Sequence, residues 1–100
     1  MEKMNGTEKQ VKWATDIIET AFRYFDRNIE RMEKAGENDE DVKAAYKLTL
    51  SAFRHVKEEF EKVVNLKRDA KFWIDNREHF SQEATSRLIS AQRDKLLKNR

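Results

Sequence analysis

Apolar side chains recur at helical spacing along the first third of the chain. Steps of three and four residues, with one gap at Asn28, relate the members of this series: Val11, Ala14, Ile18, Ala21, Phe25, Met32 and Ala35. Because residues with this spacing share one face of an α-helix, the pattern predicts an amphipathic helix over residues 8–35. Thr7 and Gln10 have the spacing of a capping box, which predicts that the helix begins near Glu8.

A second helical series follows a short polar stretch, "GENDED", that begins at Gly36. Gly36 is expected at the C′ position of the first helix, and Asn38 or Asp39 is expected to cap the second. The second helix is predicted over residues 39–66. Its apolar positions are Val42, Ala45, Tyr46, Leu48, Ala52, Phe53, Val56, Phe60, Val63, Val64 and Leu66. Because only about four residues join the two helices, we expect a long antiparallel hairpin.

The stretch "DAKFWIDNR" places three large apolar residues in a row, Phe72, Trp73 and Ile74. On a helix, three consecutive side chains cover roughly 200° of the circumference, so at least two surfaces must pack against them. Asp69 is a suitable N-cap for a separate helical segment over residues 70–79. No glycine or proline stands here, so a continuous second helix through this region is the alternative.

The last helix is predicted over residues 82–98. Ser81 is a suitable N-cap, and the apolar positions Ala84, Leu88, Ala91 and Leu96 form a weaker stripe than those of the first two helices. The chain has no proline, only two glycines and no cysteine. These features favour a single all-α domain over residues 1–100, which packing alone must stabilise because no disulfide can form.

The sequence offers little for catalysis or metal binding. Two histidines, His55 and His79, each lie one helical turn from acidic residues. A helical di-iron site requires a glutamate three residues before each histidine, and those positions hold Ala52 and Asn76. Phosphate-binding loops and nucleophile elbows require glycine patterns that this chain lacks. We therefore expect no enzymatic activity, no metal site and no cofactor.

The number of aromatic residues favours a protein partner. The chain has ten aromatic residues, although 40% of its residues are charged. One thin helical hairpin cannot bury so many rings, and exposed apolar surface of this kind generally marks an interface. Self-association, binding of another protein and a fully intramolecular bundle are the alternatives, of which a homo-oligomer is favoured. The residues expected in or near the contact surface are Trp73, Phe72, Trp13, Tyr24 and Arg77.

Nucleic-acid binding is the main alternative function. The net charge is only +2, but residues 67–100 carry nine basic and five acidic side chains. Such an excess can bind phosphates electrostatically. The residues that would carry this function are Lys67, Arg68, Lys71, Arg77, Arg87, Arg93, Lys95 and Lys98. A third alternative is sequestration of a small ligand such as a nucleotide between the subunits of an oligomer.

Two stretches carry a resemblance to known proteins. "GTEKQVKWATDI" at residues 6–17 and "DAKFWIDNR" at residues 69–77 resemble paired segments of small helical proteins from Gram-positive bacteria and their phages or mobile elements. The resemblance implies that Trp13 and Trp73 belong to one assembled surface. It also implies an accessory or anti-defence role, and it supplies no catalytic residue.

The opening residues indicate the expected location. "MEKMNGTEKQ" has no apolar core of the kind that a signal peptide requires, and no run of the chain approaches the length of a membrane span. We therefore expect a cytoplasmic protein without a membrane partner.

Overall fold

The computed structural model describes residues 4–99, and within them the chain is all-α. Its helices are α1 (Glu8–Gly36), α2 (Glu40–Leu66), α3 (Ala70–Asp75) and α4 (Gln82–Lys98), with a 3₁₀ turn at Arg77–Phe80 between α3 and α4. The predicted all-α class and long hairpin are confirmed. The segment predicted over 70–79 is divided into α3 and the 3₁₀ turn.

The helix starts follow the predicted capping. The Thr7 hydroxyl accepts a hydrogen bond from the Gln10 backbone N–H at 3.2 Å, and the Gln10 side chain accepts one from the Thr7 N–H at 3.0 Å. Asp39 caps α2 by accepting from the backbone N–H groups of Asp41 and Val42. These contacts satisfy donors that the first turn of a helix leaves without partners, so local sequence alone sets where α1 and α2 begin.

The prediction that Gly36 ends α1 as a left-handed C′ residue is wrong. Gly36 lies within α1, and Gly6 is the only residue in the described part of the chain with a positive φ. The glycine serves the close approach of α2 instead. A Cβ atom on Gly36 would lie 3.1 Å from both the Cα and the Cβ of Lys43, so a larger residue would push the two helices apart.

A long-range contact accompanies the end of α2 at Leu66. The residues after it are extended, and the Asn5 N–H donates to the Arg68 carbonyl at 2.7 Å, while the Ala70 N–H donates to the Asn5 carbonyl at 2.9 Å. Asp69 then caps α3, as predicted. The Arg68 carbonyl and the Ala70 N–H are thus paired with Asn5, a partner too remote in sequence for local pattern to reveal.

An aromatic cluster forms the centre of the core. The Phe60 ring lies 5.0 Å from that of Phe22 and 5.7 Å from those of Phe25, Trp73 and Phe80, measured between centroids. These partner rings come from α1, α3 and the 3₁₀ turn, so the Phe60 side chain of α2 joins four elements. Phe72, Trp73 and Ile74 need at least two surfaces to pack against. The chain itself therefore supplies these surfaces.

The molecule is elongated, with principal extents of 50 × 28 × 23 Å. No helix within residues 4–99 has the combination of length and apolar character that a transmembrane span requires.

Candidate protein-binding surface

Trp73 is a core residue, which corrects its prediction as a contact residue. Its side chain is 0% exposed, and its indole N–H donates to the Lys67 carbonyl at 2.9 Å. Phe72 is half-buried, with its ring 5.3 Å from that of Trp73 and 5.3 Å from the Lys67 ammonium. The sequence did not reveal this burial because the covering residues Phe60 and Phe80 come from other elements.

Trp13 is exposed, and Arg77 lies against it. The indole is 48% exposed, and the Arg77 guanidinium carbon lies 5.3 Å from the centre of its ring. A second contact fixes the arginine, because its Nη1 donates to the Ile74 carbonyl at 2.7 Å. A cation held over an indole restricts the ring's motion, so Trp13 presents a preorganised aromatic surface to solvent.

The segments 6–17 and 69–77 meet in space. The bridge between Asn5 and Asp69 lies at the start of both, because Asn5 directly precedes the first segment and Asp69 is the first residue of the second. Gly6 lies so close to α3 that a Cβ on it would be 3.0 Å from the Cβ of Ala70. The contact between Trp13 and Arg77 joins the segments again further along. One end of the molecule is thus assembled from both stretches, although Trp73 faces inwards there.

Trp13 begins a row of side chains along one flank of α1. Steps of four and three residues relate the six positions of this row, which we call the α1 strip: Trp13, Ile17, Thr20, Tyr24, Arg27 and Arg31. At about 100° per residue they lie within about 80° of one another around the helix. Ile17 and Tyr24 are half-buried, and the other four are exposed. The strip is about 27 Å long, apolar at its first end and basic at its second.

Helix α2 contacts the other flank of α1. Its ion pairs to α1 join Lys57 with Asp26 at 2.7 Å and Arg54 with Glu33 at 3.3 Å. Asp26 and Glu33 point about 140° to 160° away from Trp13 around the helix axis. The strip is therefore not on the side of α1 that the hairpin covers, although Tyr24 reaches the Phe53 ring at 5.9 Å.

The charged side chains around the strip are mostly cationic. Arg27 and Arg31 form no ion pair within residues 4–99, and Arg31 donates only to the Asn28 side chain at 2.9 Å. Lys9 and Arg77 stand at the Trp13 end, where both are exposed. Helix geometry places one carboxylate, that of Asp16, on the same flank. The charged side chains of the strip itself, Arg27 and Arg31, are therefore both cationic.

The basic residues of the C-terminal third are distributed over several surfaces. Lys67 lies over the Phe72 ring, and Arg68 is half-buried. Arg87 pairs with Glu83 at 2.6 Å, and Lys95 lines a groove between α2 and α4. Arg77 lies against Trp13, and the remaining three are exposed on α3 or α4: Lys71, Arg93 and Lys98. This spread gives the nucleic-acid alternative no single patch that brings all of its residues together.

Two depressions lie elsewhere on the surface of the described chain. One of about 800 Å³ lies at the closed end of the hairpin, between charged side chains of both signs such as Glu33, Glu37, Lys43 and Lys47. The other, of about 260 Å³, lies between α2 and α4 beside Leu88. No group of three acidic or histidine side chains within residues 4–99 is placed to hold a metal ion.

The sequence analysis found two members of the α1 strip, Trp13 and Tyr24, and its neighbour Arg77. It missed Ile17, Thr20, Arg27 and Arg31. In the sequence, the strip is a second row at three-to-four spacing beside the core row. It begins at Trp13 and is hard to recognise because it changes from apolar to basic along its length.

No protein-family model, no curated protein and no solved structure matches this chain, so the surface stands on its own geometry.

Proposed function

We propose that this chain is a non-enzymatic protein-binding module and that the α1 strip is its contact surface. The observation that carries the proposal is the half-exposed Trp13, held by Arg77 at one end of a helix flank on which four of six side chains are exposed. Tryptophan, tyrosine and arginine are the residue types that contribute most binding energy in protein interfaces. The strip contains all three.

The preorganisation of Trp13 strengthens the case. An exposed indole that rotates freely loses conformational entropy when a partner binds, whereas one already packed against a guanidinium loses less. An accessory, anti-defence role in a phage or mobile element would suit such a module, and the resemblance of its two assembled segments supports that setting.

Site-specific photocrosslinking tests the proposal in cells of the source organism. A benzophenone amino acid at Thr20, in the middle of the strip, is expected to give a covalent adduct with another protein chain. The adduct yield should fall by about tenfold when Trp13→Ala is added, because loss of an aromatic anchor residue typically weakens an interface by more than 1 kcal/mol.

The matched control places the same photocrosslinker at Glu58, which is exposed on α2. Equal adducts from Thr20 and Glu58, or an adduct at Thr20 that Trp13→Ala leaves unchanged, would contradict the proposal. The mass of the adduct distinguishes a second copy of this chain from a different protein.

Self-association through α4 is the second candidate function. One leucine of this helix is strongly exposed, Leu88 at 56%, and Ala91 beside it on the same helix face is also exposed. Burial of an exposed leucine against another chain is worth roughly 1 to 2 kcal/mol. Sedimentation equilibrium should therefore show a mass above that of one chain, and the dissociation constant should rise by about tenfold or more in Leu88→Ser.

Leu66→Ser is the control for that experiment, because Leu66 is 77% exposed but lies at the end of α2. The mass of a single chain at every concentration, or equal behaviour of all three proteins, would show that α4 does not mediate self-association.

A further inference from the structure

The charge of the α1 strip indicates the chemistry of its partner. We propose that the strip binds an acidic amphipathic helix of another protein, with the apolar side chains of that helix on Trp13, Ile17 and Tyr24, and its carboxylates on Arg27 and Arg31. This inference rests on the proposed function and goes further by naming the class of partner.

Charge complementarity carries the first step. Arg27 and Arg31 are exposed at one end of the strip and have no acidic partner within the described chain. Arg77 adds a cation at the other end, although part of its guanidinium is committed to the Ile74 carbonyl. Arginine binds carboxylates through a planar fork of donors, so an acidic partner would satisfy groups that this chain leaves to water.

The shape of the strip carries the second step. Its six positions follow one another at alternating steps of four and three residues, the arrangement that packs side by side with a second helix crossing at about 20°. Because the strip is about 27 Å long, it matches a partner helix of about 18 residues. An apolar half and an acidic half in that helix would align with the two halves of the strip.

A second copy of this chain does not complement the strip. A two-fold axis would pair the strip with itself, in either a parallel or an antiparallel direction. The parallel arrangement places Arg27 and Arg31 against their own copies. The antiparallel arrangement places them against the end that carries Lys9 and Arg77. Like charges in an interface disfavour association in both arrangements, so a different protein is the better occupant.

A nucleic acid also fits the strip less well than a peptide. Phosphate binding is favoured by cations along the whole contact, whereas the middle of the strip offers the apolar Ile17 and the uncharged Thr20. Asp16 lies on the same flank and would repel a phosphate backbone. A helix with apolar side chains at one end and carboxylates at the other meets both halves of the strip.

Fluorescence anisotropy with a defined probe tests the inference. The probe is a labelled 18-residue helical peptide with leucines at three-to-four spacing in one half and glutamates on the same face in the other. We expect it to bind the full chain, to bind more weakly as salt increases, and to lose about tenfold in affinity with Arg27→Glu/Arg31→Glu. Trp13→Ala should weaken binding by a similar factor.

Two controls separate this site from general attraction between opposite charges. Arg93→Glu/Lys98→Glu makes the same change in net charge on α4 and should leave peptide affinity within about twofold of the unaltered chain. A peptide with lysines in place of the glutamates should bind at least about tenfold more weakly than the acidic one.

Three results would overturn the inference: no binding of the acidic peptide, equal binding of the acidic and lysine peptides, or displacement of the acidic peptide by single-stranded DNA that binds the strip more tightly. If Thr20 still crosslinks to another protein in cells, such a result removes the acidic helix as partner while the protein-binding function stands. Failure of the crosslink itself removes the function.

Discussion

Replacement of Trp73 by alanine is expected to lower the free energy of unfolding by about 3 to 5 kcal/mol. The side chain is 0% exposed and contacts the rings of Phe60, Phe72 and Phe80, so its removal leaves a cavity in the centre of the core. It also removes the donor to the Lys67 carbonyl, which has no replacement in alanine. Urea denaturation followed by far-ultraviolet circular dichroism measures the change.

The second tryptophan of the chain is the natural control. Trp13→Ala removes an indole that is 48% exposed and one cation–π contact, so the loss should stay below about 1 kcal/mol. Because a small domain has little stability to lose, Trp73→Phe is a second variant that keeps a ring in the core and should cost about 1 to 3 kcal/mol. Equal effects at the two tryptophans would contradict the packing described here.

Gly6→Ala is expected to lower the free energy of unfolding by about 2 to 4 kcal/mol. Two costs add: Gly6 has a φ of 142°, a conformation that is strained by about 1 to 3 kcal/mol for other residues, and a new Cβ would lie 3.0 Å from the Cβ of Ala70. Thermal and urea unfolding measure the total. Asn5→Ala is the control, since it keeps the backbone bonds to Arg68 and Ala70, and should change stability by less than about 0.5 kcal/mol.

A double-mutant cycle with Ala70→Gly separates the two costs at Gly6. Removal of the Ala70 methyl group relieves the steric contact but leaves the backbone strain, so the two substitutions should be less destabilising together than the sum of their separate effects. Strict additivity, or a neutral Gly6→Ala, would show that the N-terminal segment does not pack on α3 as described.

Local sequence was sufficient to predict the parts of the fold that depend on residues close together in the chain. The capping box at Thr7, the caps at Asp39 and Asp69 and the core row of α1 each depend on residues within a few positions of one another. The first and last residues of α1 and α2 were accordingly predicted to within one residue. The break after Leu66 remained open at the sequence level, because the backbone partners of the α2–α3 link are more than 60 residues away along the chain.

The same limit explains the errors at the candidate site. Trp73 was expected at a contact surface because its neighbours Phe72 and Ile74 are also large, but Phe60 and Phe80 enclose it from other elements. Gly36 was expected to end a helix because glycine often does so, whereas its role here depends on how closely Lys43 approaches. Trp13 was named as a contact residue because the hairpin carries more aromatic residues than it can bury, and its indole is indeed 48% exposed.

The bridge between Asn5 and Asp69 affects when, during folding, the proposed binding surface is completed. Its formation closes a loop of more than 60 residues, an entropic cost that the chain meets most easily once the hairpin has already brought the two ends together. Trp13 and Arg77 follow Asn5 and Asp69 closely in the sequence. We therefore expect the contact between Trp13 and Arg77 to form late in folding, after the bridge. A nascent or partly folded chain would therefore lack the aromatic end of the proposed binding surface, and we expect only the fully folded domain to capture a partner.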